Sequence, residues 1–182
     1  MGYYLNELAN LPVDENINFY IFVVNGQFRE QLYQTVQDNF ATIAHSIGSQ
    51  AVVAAGTDPK AFSSDVARTY FGTDDREYLE MLPAMLITNT HPAKLTKDSA
   101  RLFVPLRDAE ERFGGWAQFF SLLSEYVRGE SDEFVKRFER REDLIAAGNK
   151  VISFRPGILG FSVNVNELID RWNKSRLKAQ KA

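Results

Sequence analysis

The sequence of 182 residues contains no cysteine, and this absence excludes several kinds of chemistry. Without thiols the chain can form no disulfide, no thiolate nucleophile, no iron–sulfur cluster and no cysteine zinc site. Histidine is scarce too, since only His45 and His91 are present, far apart and without a cluster of carboxylates beside them. The sequence therefore predicts no metal site and no other bound cofactor.

Long apolar segments are also absent. The longest apolar runs, FYIFVV at 19–24 and PAMLI at 83–87, are too short to cross a bilayer, so no membrane span is expected. No basic stretch precedes an apolar segment near the N-terminus, so we expect no signal peptide and take the cytoplasm as the default location. With 45% apolar and 25% charged residues, the composition is typical of an ordinary globular protein.

The charge of the chain is unevenly distributed. Residues 1–40 carry five acidic residues and one basic residue, whereas residues 150–182 carry two acidic and seven basic residues. A basic end on an acidic body can contact phosphates or an acidic partner. Nucleic acid is therefore a possible partner of the basic C-terminal helix. A solvated terminal helix is the simpler interpretation of the same charges.

Strands and helices alternate in the predicted order of elements, which indicates an α/β fold. Segments rich in β-branched and aromatic residues, with few polar breaks, predict buried strands. These strands are at 17–24, 50–56, 84–89 and 100–107. Apolar residues at spacings of three and four predict helices at 27–48 and 114–129, with a further helix starting at Pro59. Ahead of the first strand we expect an arm with a helical turn.

Local signals refine this assignment. Asp58 is placed to cap the helix that starts at Pro59, and Gly48 is the expected end of the preceding helix. Pro105 predicts that the strand at 100–107 lies at a sheet edge or ends there. We expect seven apolar residues to be buried in one sheet, namely Phe19, Ile21, Val23, Val52, Val53, Met85 and Ile87.

An aromatic cluster begins the helix at 114–129 and comprises Phe113, Trp116, Phe119 and Phe120. Its expected role is to pack this helix on the sheet. A surface for a protein partner is the alternative for part of the cluster, because aromatic residues are enriched at interface anchors.

Beyond residue 129 the sequence predicts a C-terminal region, residues 130–182, attached to an α/β domain of residues 1–129. This region is expected to contain a charged helix at 132–148, a hairpin at 150–165 and a basic helix at 166–182. The glycines at 157 and 160 permit a tight loop. Apolar residues at the hairpin tip and one tryptophan in the last helix are candidate partner contacts: Phe154, Ile158, Leu159, Phe161 and Trp172.

The apolar hairpin needs a neighbour, because an isolated two-stranded ribbon is only marginally stable in water. It either covers the edge of the core or docks on another chain. We therefore expect residues 150–173 to be ordered and required for assembly, and residues 178–182 to be dispensable.

The order β-α-β-α-β-β-α through about residue 129, with Leu82-Pro83 just before the third strand, resembles the thioredoxin-like fold. The resemblance implies a thioredoxin-like central mixed sheet flanked by helices, here followed by a C-terminal helix-hairpin-helix extension. The family carries a cis-proline at this place, although trans is the ordinary state of such a bond. A flavodoxin-like sheet, with the third strand parallel to the first two, is the competing fold.

The resemblance also implies a location for a binding groove. In the family the proline lies beside the turn after the first core strand, which in this chain is formed by Asn25, Gly26, Gln27 and Phe28. Redox members of the family carry Cys-x-x-Cys in this turn. Because disulfide exchange requires a thiolate, this chain cannot perform it.

Three functions remain open from the sequence. The leading hypothesis is a non-redox binding or assembly module of a larger protein complex, which associates with a protein partner or with itself. The alternative is a small-ligand-binding or hydrolytic domain that uses a rim of strand ends with Asn25, Asp58 and His91, where Asp58 and His91 form an acid–base pair. That rim requires three parallel strands. The third hypothesis is a nucleic-acid-associated accessory protein.

Overall fold

Five strands form one mixed sheet in the computed structural model, which describes residues 1–25, 31–71, 82–96, 99 and 101–137. The strands are β1 (Gly2–Leu5), β2 (Phe19–Val24), β3 (Ala51–Gly56), β4 (Ala84–Thr88) and β5 (Arg101–Pro105). Helices flank the sheet, so the fold is mixed α/β. The four predicted strands are confirmed as β2 to β5.

The strand order is β1-β3-β2-β4-β5. Strands β1 and β2 both run parallel to β3, whereas β4 is antiparallel to β2 and to β5. The flavodoxin-like alternative, in which β4 would be parallel to β2, is therefore wrong. Strand β5 lies at an edge of the sheet among the described strands and ends at Pro105, as predicted.

Strand β1 was not expected, because residues 2–5 were assigned to an arm. It pairs with β3 in a register that places Gly2 opposite Val53 and Leu5 opposite Gly56. Of its four residues only Leu5 is buried, so the segment lacks the apolar pattern of the other strands. The expected helical turn follows as a 3-10 helix at Leu8–Asn10.

The helices are α1 (Gln31–Asp38), α2 (Phe40–Ser46), α3 (Pro59–Phe71), α4 (Leu106–Phe113) and α5 (Trp116–Arg128), followed by helical residues at 133–137. A second 3-10 helix lies at Pro92–Lys94. The described part of the predicted helix at 27–48 is two helices. Asn39 separates them. Its side-chain amide donates to the Thr35 carbonyl (2.8 Å), and in a continuous helix this carbonyl would accept from the backbone N–H of residue 39. Gly48 has a φ of 88° just after α2.

Helix α4 was not predicted. Its buried residues Leu106, Ala109 and Phe113 lie at helical spacings of three and four, and this spacing is the signal that could have identified it. Charged residues between them conceal the pattern. None of the described helices is long and apolar enough to span a bilayer.

Two apolar layers cover the two faces of the sheet. The first contains apolar side chains from α1, α2, α4, α5 and residues 134–135, and the second contains those of α3 and the segment after β1. All seven predicted core residues are at most 1% exposed. Six of them belong to the first layer, whereas Val52 belongs to the second.

Several predicted elements lie outside the described residues. These are most of the helix at 132–148, the hairpin at 150–165, and the basic helix at 166–182. The described residues just beyond 129 pack on the first layer, where Phe134 and Val135 are buried.

We predict that Ile21→Ala destabilises the protein by about 2–5 kcal/mol, because Ile21 is fully buried at the centre of β2 and its truncation leaves a cavity. Denaturant unfolding measures the effect. The matched control is Val13→Ala, whose side chain is 59% exposed and whose truncation should change stability by less than about 0.5 kcal/mol. A loss for Ile21→Ala well below about 1 kcal/mol would show that β2 is not central.

Candidate functional site

The rim expected to join Asn25, Asp58 and His91 does not form. Because β4 is antiparallel to β2, Thr88 at the end of β4 pairs with Tyr20 near the start of β2. His91 follows β4 and therefore lies at the end of the sheet opposite to Asn25, which follows β2. Asp58 follows β3, which is parallel to β2, so it too lies at the end away from His91.

The His91 side chain is committed to structural hydrogen bonds. The Ala93 backbone N–H donates to Nδ1 of His91 (3.1 Å), so the ring proton lies on Nε2 and is donated to the Leu11 carbonyl (3.2 Å). The imidazole is buried and meets the Tyr20 ring edge-on, with 5.4 Å between ring centroids. His91 thus ties the segment after β1 to the turn after β4.

Asp58 and Asn25 also have structural roles. The Asp58 carboxylate accepts hydrogen bonds from the backbone N–H groups of Lys60 (3.0 Å) and Ala61 (3.1 Å), which confirms the predicted cap of α3. Asn25 is fully buried, and its backbone N–H donates to the Ser63 hydroxyl on α3 (2.7 Å). These contacts anchor α3 at the end of the sheet formed by the last residues of β2 and β3.

Leu82-Pro83 lies at the same end of the sheet as Asn25. The register pairs Val24 with Ala84, so Pro83 precedes the last pair of the β2–β4 ladder and Asn25 follows it. The bond between Leu82 and Pro83 is cis, and the Pro83 carbonyl accepts from the backbone N–H of Leu106 (2.8 Å). Two further groups of candidate residues lie outside the described ranges: Gly26, Gln27 and Phe28, and the C-terminal Phe154, Ile158, Leu159, Phe161 and Trp172.

The described residues include an open cavity of about 460 Å³ between α2 and α5. We call it the α2–α5 groove. Its apolar wall is formed by Ile43, Trp116 and Phe120, and hydroxyl-bearing residues such as Thr42 and Ser121 line its rim. The groove thus offers apolar surface bordered by hydrogen-bonding groups, as protein ligand sites commonly do.

A stacked aromatic pair forms the apolar wall of the groove. Trp116 and Phe120 lie with ring centroids 5.8 Å apart at an interplanar angle of 26°, and both remain partly exposed. The fully buried Phe119 meets both rings edge-on. Gly114 (φ 71°) and Gly115 (φ 121°) make the turn that starts α5 at Trp116. The pair therefore packs on the core through Phe119 and stays partly exposed on its other side.

The opposite end of the groove is polar but electrically balanced. The guanidinium of Arg128 donates to the Ser46 carbonyl at the end of α2 (2.8 Å) and makes two hydrogen bonds of 2.7 Å to Glu130. The hydrogen bond with Glu130 raises the pKa of Arg128, and the same contact lowers the pKa of Glu130. Ser46 and Ser124 hydroxyls lie 3.3 Å apart beside this ion pair. The lining therefore carries no unbalanced charge.

The groove could not be predicted as a site from the sequence. Its two aromatic residues belong to the predicted cluster, of which Phe113 and Phe119 do pack in the core. For Trp116 and Phe120 the signal in the sequence is their spacing of four residues. This spacing places both rings on one side of α5, but it does not reveal that α2 faces them across a gap.

We predict that His91→Ala destabilises the protein by about 1–3 kcal/mol, because it leaves the Leu11 carbonyl and the Ala93 N–H without their partner. The control is His45→Ala, on the exposed side of α2, which should change stability by less than about 0.5 kcal/mol. Chemical denaturation of both variants measures the difference. Equal stabilities of the two variants would contradict the structural role of His91.

Among the described residues no three histidine or acidic side chains are grouped so that they could hold a metal ion. Comparisons of the chain with protein-family models, curated proteins and solved structures found no match.

Proposed function

We propose that the chain is a non-redox thioredoxin-like domain that acts as a binding or assembly module of a larger protein complex. One observation carries the proposal. The polar candidates Asp58 and His91 are used to hold the fold together, whereas Trp116 and Phe120 remain partly exposed in an open groove. Partly exposed aromatic rings that pack on the core favour binding, and polar groups engaged in structural hydrogen bonds do not favour catalysis.

The thioredoxin-like part of the proposal is supported by topology. The order β1-β3-β2-β4-β5, the antiparallel direction of β4 and the position of Leu82-Pro83 next to the end of β2 all agree with the resemblance. The zero cysteine count makes such a domain non-redox. Any function at this end of the sheet must therefore rest on non-covalent binding or on chemistry that needs no thiol.

A hydrolytic or acid–base role receives no support from the described contacts. Asp58 and His91 lie at opposite ends of the sheet, and both ring nitrogens of His91 are engaged. An acid–base pair needs its two groups within hydrogen-bond reach of one substrate. The binding interpretation is the one that the geometry favours.

A protein is the proposed partner. Grooves between helices bind apolar side chains of a protein segment, from the same chain or from another, and aromatic residues at such sites are frequent energetic anchors. The sequence of the C-terminal region predicts a second apolar surface, since Leu168, Ile169 and Trp172 recur at helical spacing. We propose that this apolar stripe makes the contact with another chain.

The test compares the mass in solution of the full chain, of a chain ending at residue 177 and of the full-length variant Trp172→Asp. Sedimentation equilibrium should show that the first two self-associate equally and that Trp172→Asp does not, because a carboxylate cannot be buried in an apolar contact without a partner. Trp172→Phe is the matched control and should self-associate. A full chain that is monomeric at every concentration, or a Trp172→Asp variant that associates normally, would show that this assembly does not occur.

A further inference from the structure

We infer that residues 154–161 of the C-terminal region dock in the α2–α5 groove of their own chain. This inference rests on the proposed function, in which the groove binds a protein segment, and it names the segment. Residues 154–161, called the tip below, include the four apolar residues Phe154, Ile158, Leu159 and Phe161.

The described chain ends on the groove side of the sheet. The Phe134 ring stacks on the Phe113 ring with centroids 5.4 Å apart, and the Arg137 guanidinium lies 5.6 Å from the centre of the Phe113 ring. Phe113 in turn contacts Phe119 (5.1 Å), and Phe119 contacts Trp116 (6.0 Å). The last described residues are therefore separated from the groove by a short series of contacting aromatic rings, on the face that α2 and α5 cover.

The length of the chain beyond this point is sufficient to reach the groove. Phe154 follows Arg137 by 17 positions, which corresponds to roughly 55 Å for a fully extended chain. Such a short tether gives the tip a high effective concentration at a site on its own chain. This concentration favours the chain's own tip over the tip of a second copy, which must bind from free solution.

The tip and the groove are also chemically complementary. The apolar wall of Ile43, Trp116 and Phe120 can cover a few apolar side chains, and a cavity of about 460 Å³ has room for only a few. The tip carries one charged residue, Arg155. Arg128 at the end of the groove is neutralised by Glu130, so it does not repel Arg155 as a free cation would.

Tryptophan fluorescence can measure whether the groove is covered. The chain has two tryptophans, Trp116 and Trp172, so Trp172→Phe leaves the groove residue as the only indole. In this full-length background, acrylamide quenching and the emission maximum of Trp116 report whether the groove is covered. The Trp172→Phe chain is compared with a tip variant that also carries Ile158→Asp and Leu159→Asp. These two carboxylates should prevent the tip from docking in an apolar site.

We expect the Ile158→Asp and Leu159→Asp substitutions to raise the quenching constant of Trp116 and to shift its emission to longer wavelength. The matched control, Asn164→Asp with Asn166→Asp, makes the same change in charge outside the tip and should leave both readings unchanged. Identical quenching in the tip variant and its parent would overturn the inference. Protection of Trp116 that disappears on dilution would also overturn it, because the tip of a second copy would then be the occupant.

The inference and the proposed function can fail separately. Trp172→Asp removes the proposed contact with another chain and also leaves Trp116 as the only indole. This one variant therefore reports both self-association and the exposure of Trp116. If Trp116 stays protected in this monomeric variant, the tip docks on its own chain. If the Trp172→Phe chain assembles while its Trp116 is as accessible as in the tip variant, the inference is wrong and the proposed function stands.

Discussion

Burial of the central strands on both faces is the constraint on which the rest of the described structure depends. Every residue of β2, β3 and β4 is buried, so both faces of the sheet must be covered by helices. Apolar residues supply this cover from α1, α2, α4 and α5 on one side and from α3 on the other. Backbone groups at the strand ends then need partners inside the fold, because an unpaired buried polar group is costly.

The polar residues at the strand ends meet that need, which explains why they are poor candidates for catalysis. Asp58 satisfies the first turn of α3, Ser63 accepts the N–H of Asn25, and His91 bridges two turns. Each side chain is held by the architecture and in turn stabilises it. The α2–α5 groove differs because its aromatic wall is supported by the core below while one side stays open. We therefore propose the helical face, and not the described residues at the strand ends, as the place of binding.

The sequence predicted those features of the fold that depend on local pattern. Burial on both faces requires a continuous apolar run such as FYIFVV, and Asp58-Pro59 is a local start signal for a helix. Strand β1 was missed because its place in the sheet comes from pairing with β3, about 50 residues away, and not from its own composition. The division of the helix at Asn39, the direction of β4 and the gap between α2 and α5 depend on tertiary contacts that no short window of sequence contains.

Paramagnetic broadening of amide NMR signals tests most directly whether residues 154–161 dock in the α2–α5 groove. Because the chain has no cysteine, a nitroxide label can be placed at a single introduced cysteine. A nitroxide attached to a single cysteine at Gln118→Cys, an exposed position on α5 next to the groove-lining Ala117, should broaden the amides of residues 154–161 in the full chain. The same label at Lys60→Cys, on α3 at the opposite face of the sheet, should leave those amides sharp. Sharp signals for residues 154–161 with the label at residue 118, or equal broadening from both positions, would contradict the docking of these residues in the α2–α5 groove.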